Sequence, residues 1–309
     1  MAVLNSDSGT ALEAVQAAIS ELENDPATNA GYGSNLTRQG TVECDASIMD
    51  GQQGGFGAVA AVGGIANPIQ AAYKMCKNGR ELDMPAGLVP PMVLAGPDAK
   101  AWAAAQGVAT IDNDQLTSPE SAGKYCGYLQ QLSNEDIRQD TVGAICIDAQ
   151  GHCAAGVSSG GIALKIPGRV GEAAVYGAGC WAQDATLDTP GVACSVSGTG
   201  EQIMRSLITT KCMDAIVQHD DVQTALSETI KRSFLESPLL RMHMEPSMGM
   251  ITLRFERSSS GDLRAEFWYA HVTDSMGIGY MSASSAKPTT FVSRKGRAES
   301  IRLSGKLVR

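Results

Sequence analysis

Asp140-Thr141-Val142-Gly143-Ala144 opens an apolar run, residues 142–147, that reads as a buried strand and stops at the turn signal Asp148-Ala149-Gln150-Gly151. A second strand follows over residues 153–158. The segment before Thr141, Ser133-Asn134-Glu135-Asp136-Ile137-Arg138-Gln139, is polar and loop-like. Thr141 therefore stands at the first position of a buried strand, behind an exposed loop. A hydroxyl there is placed to attack the carbonyl of Asp140. An N→O acyl shift followed by hydrolysis cuts the chain and gives Thr141 a free α-amine. That amine has a reference pKa of about 7.7–8.0, so near neutrality it serves as base for its own hydroxyl. Taken alone, Asp-Thr at a strand start is ordinary, because threonine is a common strand residue.

Outward from that point the pattern is of alternating helices and strands. Residues 11–23 place Leu12, Val15, Ile19 and Leu22 at helical spacing, with Ser8 and Thr10 as candidate caps. A turn rich in Asn and Gly follows, Asn24-Asp25-Pro26-Ala27-Thr28-Asn29-Ala30-Gly31-Tyr32-Gly33-Ser34. Residues 41–49 read as a strand, residues 57–62 begin a further element, and residues 68–77 read as a helix opened by Asn67-Pro68. Residues 78–140 are less periodic. Pro85, Pro90, Pro91 and Pro97 break the first part, and short helices are expected over 98–106 and 120–132. Beyond the central strands come the glycine-rich stretches Ser158-Ser159-Gly160-Gly161, Gly168-Arg169-Val170-Gly171 and Ser197-Gly198-Thr199-Gly200-Glu201. Helices are expected over 201–209 and 219–235, and strands over 248–256 and 263–272.

Composition bounds the function. At 309 residues, with 43% hydrophobic and 18% charged residues, the chain has the make-up of a globular protein able to bury a large core. A net charge of −9 argues against a nucleic-acid or anionic-membrane surface. The basic residues Lys287, Arg294, Lys295, Arg297, Arg302, Lys306 and Arg309 gather in the C-terminal part and read as a solvated tail. The eight cysteines show no C-x-x-C pair, so zinc is not expected. With no signal peptide or membrane-length apolar run, an intracellular, reducing location is expected.

Five motifs in order, residues 22–31, 45–51, 140–144, 168–171 and 197–201, resemble those of the N-terminal-threonine asparaginases, the plant-type asparaginase and glycosylasparaginase group of N-terminal-nucleophile hydrolases. The resemblance covers nearly the whole chain. It implies an α/β fold, a four-layer αββα sandwich forming a single domain over 1–309, cut between Asp140 and Thr141 into an alpha subunit (1–140) and a beta subunit (141–309). These remain associated as a heterodimer, which itself pairs. Carried over by motif, Thr141 is the nucleophile and Ser159 orients it. Ser197 and Gly198 form the oxyanion hole, Arg169 holds the substrate carboxylate, and Asn29 lies near the threonine amine. Read without the resemblance, Ser159 is a turn serine and Arg169 a surface residue. No cofactor is implied beyond a structural sodium ion in the Asn29 loop.

Residues 43–51, and 266–271 with 274–283, resemble the threonine aspartase branch, endopeptidases that cut proteins after aspartate. Protein substrates of a regulatory kind, and a cytoplasmic or nuclear location, are implied by that branch. The alternatives are an asparaginase or isoaspartyl peptidase acting on small molecules, and an uncleaved, inactive relative. Two departures stand out. The family begins with a strand ending in a His-Ala-Gly-Ala-Gly-like segment, and Met1-Ala2-Val3-Leu4-Asn5 has no counterpart, so a core strand is expected to be missing. Glu172 stands where asparaginases place an aspartate that holds the substrate's free amine.

Overall fold

A computed structural model describes residues 1–4, 9–79, 87–130, 140–241, 245–257 and 262–308. The expectations on Asn5, Ser8, Pro85, residues 131–139 and Arg309 lie outside the described residues.

Helix α1 (Ala11–Asn24) starts at a capping box. Thr10 Oγ1 accepts from the Glu13 N–H at 3.2 Å, and the Thr10 N–H donates to Glu13 Oε2 at 3.3 Å. Its face Leu12, Val15 and Ile19 is buried, as the spacing predicts. Strands β1 (Cys44–Asp50) and β2 (Gly55–Val62) form an antiparallel pair. Helix α2 (Pro68–Asn78) has proline in its first turn. The less periodic middle contains β3 (Val93–Ala95), α3 (Gly96–Ala105) and α4 (Pro119–Gln130). The central strands are β4 (Val142–Ile147) and β5 (Cys153–Ser159), followed by β6 (Cys180–Gln183) and β7 (Gly191–Gly198). Next come helices α5 (Gly200–Ser206), α6 (Ile208–Gln218) and α7 (Val222–Ile230). Five strands close the chain: β8 (Met248–Arg257), β9 (Leu263–His271), β10 (Ser275–Tyr280), β11 (Thr289–Arg294) and β12 (Arg302–Val308).

Two five-stranded sheets carry the fold, in the orders β3-β2-β1-β5-β4 and β12-β9-β8-β7-β6, with β10 and β11 as a separate hairpin. Three apolar clusters set the layering. One packs α1, α2 and α3 against the outer face of the first sheet, and one packs α5, α6 and α7 against the outer face of the second. The third lies between the sheets and holds Met49, Phe56, Cys153, Ala155 and Val157 against Ala193, Phe255 and Phe267. The result is the four-layer αββα sandwich. Strand β5 is buried along its whole length because both its faces are covered: Cys153, Ala155 and Val157 turn inward, while Ala154 turns to the helices. Small residues let the sheets approach. A Cβ on Gly143 would stand 1.9 Å from Ser195 Oγ.

Three expectations are corrected. The helix expected over 201–209 breaks at Leu207, whose φ of 53° is left-handed, so α5 and α6 are separate helices. The helix expected over 219–235 is α7 followed by a π turn, Lys231–Leu235. The strand expected from residue 41 begins at Cys44, because residues 37–41 form a tight turn in which Thr37 N–H donates to Thr41 O at 2.9 Å. Strand β4 is an edge of its sheet among the described residues. No described helix is long and apolar enough to cross a membrane.

Glu23 is fully buried at the end of α1. Its Oε1 accepts from Ser158 Oγ at 2.7 Å and from the Ile69 N–H at 3.0 Å. Burial pushes its pKa up to about 8, against the lowering effect of those hydrogen bonds. Between the ordinary carboxylate value and about 8 the folded chain holds a proton that the unfolded chain has released, so folding stability falls as pH rises through this window. Glu23→Gln removes that proton uptake. Thermal unfolding at pH 8 is expected to show the variant at least as stable as the parent, by up to several kcal/mol at ~1.4 kcal/mol per pKa unit, with the difference vanishing near pH 4.

Candidate active site

Thr141 lies at the head of β4, 9% exposed, and antiparallel pairing brings β5 alongside, with Val142 opposite Ser158. Ser159, one residue on, ends β5 beside the threonine. The Thr141 and Ser159 hydroxyl oxygens are 3.0 Å apart, and Thr141 Oγ1 lies 3.1 Å from Glu172 Oε1. Ser159 Oγ also accepts the Gly161 N–H at 3.0 Å. Thr141 has one hydroxyl proton for these two neighbours; when it goes to Glu172, which ionised can only accept, Ser159 is left to donate to Thr141 Oγ1.

The peptide bond before Thr141 is held as firmly. Asn29 Nδ2 donates to Asp140 O at 2.7 Å and to Gly161 O at 2.9 Å, while its Oδ1 accepts the Asn35 N–H at 2.8 Å. The Thr141 N–H donates to Asp140 Oδ1 at 2.9 Å. The asparagine expected near the threonine amine thus sits on the carbonyl that Thr141 would attack.

Arg169 sits on the wall of the same cleft. Its guanidinium forks onto Glu201, Nε to Oε1 at 2.9 Å and Nη2 to Oε2 at 2.7 Å. Burial works against its charge, and Glu201, Glu172 and Asp45 outweigh that, so its pKa is raised. In the intact chain, therefore, the arginine expected to meet a substrate carboxylate already has a carboxylate in its fork. Asp45, on β1, is buried and accepts the Ala61 N–H at 2.8 Å and the Gly171 N–H at 2.7 Å, fixing the backbone between Arg169 and Glu172. Burial raises its pKa, with Lys165 and those amides acting in the opposite direction. Lys165 is itself buried. Its ammonium donates to Gly160 O at 2.8 Å and to Glu43 O, which ties down the Gly160-Gly161 turn under Asn29 and Ser159.

Glu172 is 2% exposed. Burial is the main cause that brings its pKa up to about 7; Asp45 adds to the rise, while the Arg169 charge and the Thr141 hydroxyl oppose it. Gly198 closes the cleft. Its φ of 146° and the Ser247 carbonyl, 2.3 Å from where a Cβ would be, admit only glycine.

Asp140, Thr141, Ser159, Gly161, Ile162, Arg169, Glu172 and Gly198 surround a cleft of about 10 Å³, roughly one water in size. Of the sequence-predicted residues, Thr141, Asp140, Ser159, Arg169 and Gly198 line it, and Asn29 reaches its Asp140 and Gly161 carbonyls. Ser197 precedes Gly198 on β7 but is not among the lining residues. A larger cavity of about 290 Å³, lined by Gln202, Phe234 and Arg241 among others, shares no residue with this cleft. Sequence reasoning gave no role to Glu172, Asp45, Lys165 or Glu201. Asp45 and Glu201 left a signal as the ends of two motifs, 45–51 and 197–201, and Glu172 as a departure from the family pattern; Lys165 left none.

The arrangement suits nucleophilic attack by a hydroxyl on a carbonyl already polarised by a donor. Comparison with known proteins shows the family. The asparaginase family profile matches residues 1–267. The isoaspartyl peptidase/L-asparaginase of Xenopus laevis is 32% identical over 283 residues, covering 89% of this chain and 83% of that protein. The plant-type L-asparaginase of Pyrobaculum calidifontis is 31% identical over 283 residues, covering 88% and 83%. The isoaspartyl peptidase of Salmonella typhimurium is 36% identical over 208 residues, covering 64% and 62%. With the αββα sandwich and a match over most of its length, this chain belongs to the asparaginase family of N-terminal-nucleophile hydrolases.

Proposed function

We propose that the chain is a self-processing threonine hydrolase that cuts itself at Asp140–Thr141 and then hydrolyses peptide bonds on the carbonyl side of aspartate in protein substrates. One observation carries this reading. The chain's own Asp140–Thr141 peptide is presented to the Thr141 hydroxyl with its carbonyl held by Asn29, so an internal aspartyl bond is already seated in the cleft. Structured chain beyond the family profile adds to it: the β10–β11 hairpin packs on β9 through Phe267–Tyr280 and Tyr269–Phe291 ring contacts, and β12 extends the second sheet. Thr141 is the nucleophile through its released α-amine, Ser159 orients it, and Gly198, with Ser197, supplies oxyanion donors. Arg169 would meet the aspartyl carboxylate after exchanging Glu201 for it. The two fragments stay together because β4 and β5, on one side of the cut, share a sheet with β1 on the other. The proposed setting is cytoplasm or nucleus.

The second reading, hydrolysis of asparagine or of β-aspartyl dipeptides, is favoured by the relatives, which are isoaspartyl peptidases and L-asparaginases and support it more than the first. The side-by-side placement of Arg169 and the buried carboxyl of Glu172 also suits it, since an α-amino acid brings a carboxylate and an ammonium together. A structural sodium ion in the Asn29 loop is part of either proposal; backbone carbonyl oxygens of that loop are the donors a hard cation would take, and its part would be to hold the loop that carries Asn29.

A panel of three substrate types separates the readings: peptides with one internal aspartate, β-aspartyl dipeptides, and free asparagine. The processed protein is expected to cut the internal-aspartate peptide, with mass spectrometry placing the break after aspartate. Turnover of only the dipeptide or of asparagine would install the second reading.

A further inference from the structure

We infer that Glu172 is the base that starts self-cleavage, taking the Thr141 hydroxyl proton in the intact chain. The inference rests on the reading of Thr141 as a self-released nucleophile. It assigns a separate catalytic group for the first cut.

Before the cut, Thr141 N is an amide. It has no lone pair free to accept a proton, so the base of the mature site does not yet exist. Two groups touch Thr141 Oγ1: Ser159 Oγ at 3.0 Å and Glu172 Oε1 at 3.1 Å. A serine hydroxyl is a poor base, and Ser159 Oγ already accepts the Gly161 N–H. The Asp140 carboxylate accepts the Thr141 amide through Oδ1 at 2.9 Å. Glu172 is the carboxylate set directly on the reacting hydroxyl.

Its surroundings suit the task. The charged groups around it are Arg169, itself forked onto Glu201, and Asp45, whose oxygens accept the Ala61 and Gly171 amides and which has Lys165 nearby. Burial, the leading cause, brings the Glu172 pKa to about 7. A base with that pKa is about half ionised at neutral pH, where general-base catalysis is most efficient. Length matters as well. The aspartate that the resemblance implies at this position is one methylene shorter, while the glutamate reaches the hydroxyl.

The step balances. The Oγ1–H bond breaks and its proton goes to Glu172 Oε1 as Oγ1 bonds to the Asp140 carbonyl carbon. The carbonyl oxygen takes up the electron pair, with the Asn29 amide donating to it. The C–N bond then breaks, and the nitrogen takes the proton from Glu172 and becomes the α-amine. Water adds to the ester carbonyl carbon, the bond from that carbon to Oγ1 breaks, Oγ1 takes a proton, and Asp140 is left with a free α-carboxylate. One water is consumed.

The test is a time course of self-cleavage in freshly translated full-length chain, read by denaturing gel from pH 5.5 to 8.5, for the parent, Thr141→Ala, Glu172→Gln and Glu172→Asp. The parent rate is expected to rise about tenfold per pH unit below about 7 and to level above it. Glu172→Gln, isosteric and neutral, is expected to cut at least ~100-fold more slowly and to lose the inflection. Glu172→Asp is expected to cut at an intermediate rate with a displaced inflection. A Glu172→Gln chain cutting within threefold of the parent, or keeping the inflection, overturns the inference while leaving the Thr141 reading intact. If Glu172→Gln does not fold by circular dichroism, Glu172→Asp decides: an unchanged rate and profile overturns the assignment, and a slowed, displaced one supports it. A parent chain that never cuts, like Thr141→Ala, defeats the Thr141 reading and this inference with it.

Discussion

Replacing Thr141 with alanine is expected to leave a single uncut chain with no hydrolytic activity on any aspartyl substrate. The effect is total because one residue serves twice. Its hydroxyl makes the first cut, and the amine that this cut releases activates the same hydroxyl afterwards. The fold should survive. Thr141 heads an edge strand, and its loss removes the hydroxyl's contacts to Ser159 and Glu172 but no core packing. Thr141→Ser retains the hydroxyl and is expected to cut itself, more slowly, because it lacks the methyl that restricts the side-chain rotamer. Denaturing gels and circular dichroism of the three proteins check both statements. A Thr141→Ala chain that still breaks at the same bond would remove Thr141 from the chemistry.

The second large effect is expected at Asn29. Its Nδ2 donates at 2.7 Å to the Asp140 oxygen, the atom that gains charge when Thr141 attacks. Removing one such preorganised donor typically costs ~100- to 1,000-fold in rate. Asn29→Ala should slow self-cleavage by that order. It also strands the Asn35 N–H and leaves the Gly161 carbonyl one donor short, each a loss of ~1–3 kcal/mol where water cannot replace the bond. Asn29→Asp keeps the acceptor for the Asn35 N–H but turns an acceptor toward both the Asp140 and Gly161 carbonyls. A self-cleavage rate as low as that of Asn29→Ala, in a chain that still folds by circular dichroism, is the expected result for Asn29→Asp. Parent-like cleavage in either variant would show that Asn29 has only a structural part.

Much of this site was legible before the structure, for identifiable reasons. The apolar runs at 142–147 and 153–158 are local signals, and β4 and β5 occupy nearly those spans, so Thr141 falls at a strand head as expected. Ser159, Arg169, Asn29 and Gly198 were reached through the resemblance, and two strand ends and two turns bring them around Thr141. The sheet order β3-β2-β1-β5-β4 was not legible, because it pairs strands on either side of residues 78–140 and no local pattern encodes that pairing. Nor were the buried charges. Asp45 and Lys165 look like solvent-facing residues in the sequence, and only the backbone amides and carbonyls they satisfy explain their burial. The break at Leu207 escaped for another reason. Neither glycine nor proline marks it, and leucine is a residue that rarely enters the left-handed region. Glu172 was noticed as a departure, but its reach to Thr141 depends on side-chain geometry that spacing does not carry.

The central claim is that Thr141 becomes an N-terminal residue by the chain's own action. Intact mass and N-terminal sequencing of purified protein over time test it most directly. The predicted result is two fragments whose masses sum to that of the chain plus one water, the second beginning Thr-Val-Gly-Ala, in the parent and not in Thr141→Ala. A parent chain that stays whole under denaturing conditions, or a second fragment with any other first residue, would contradict the account.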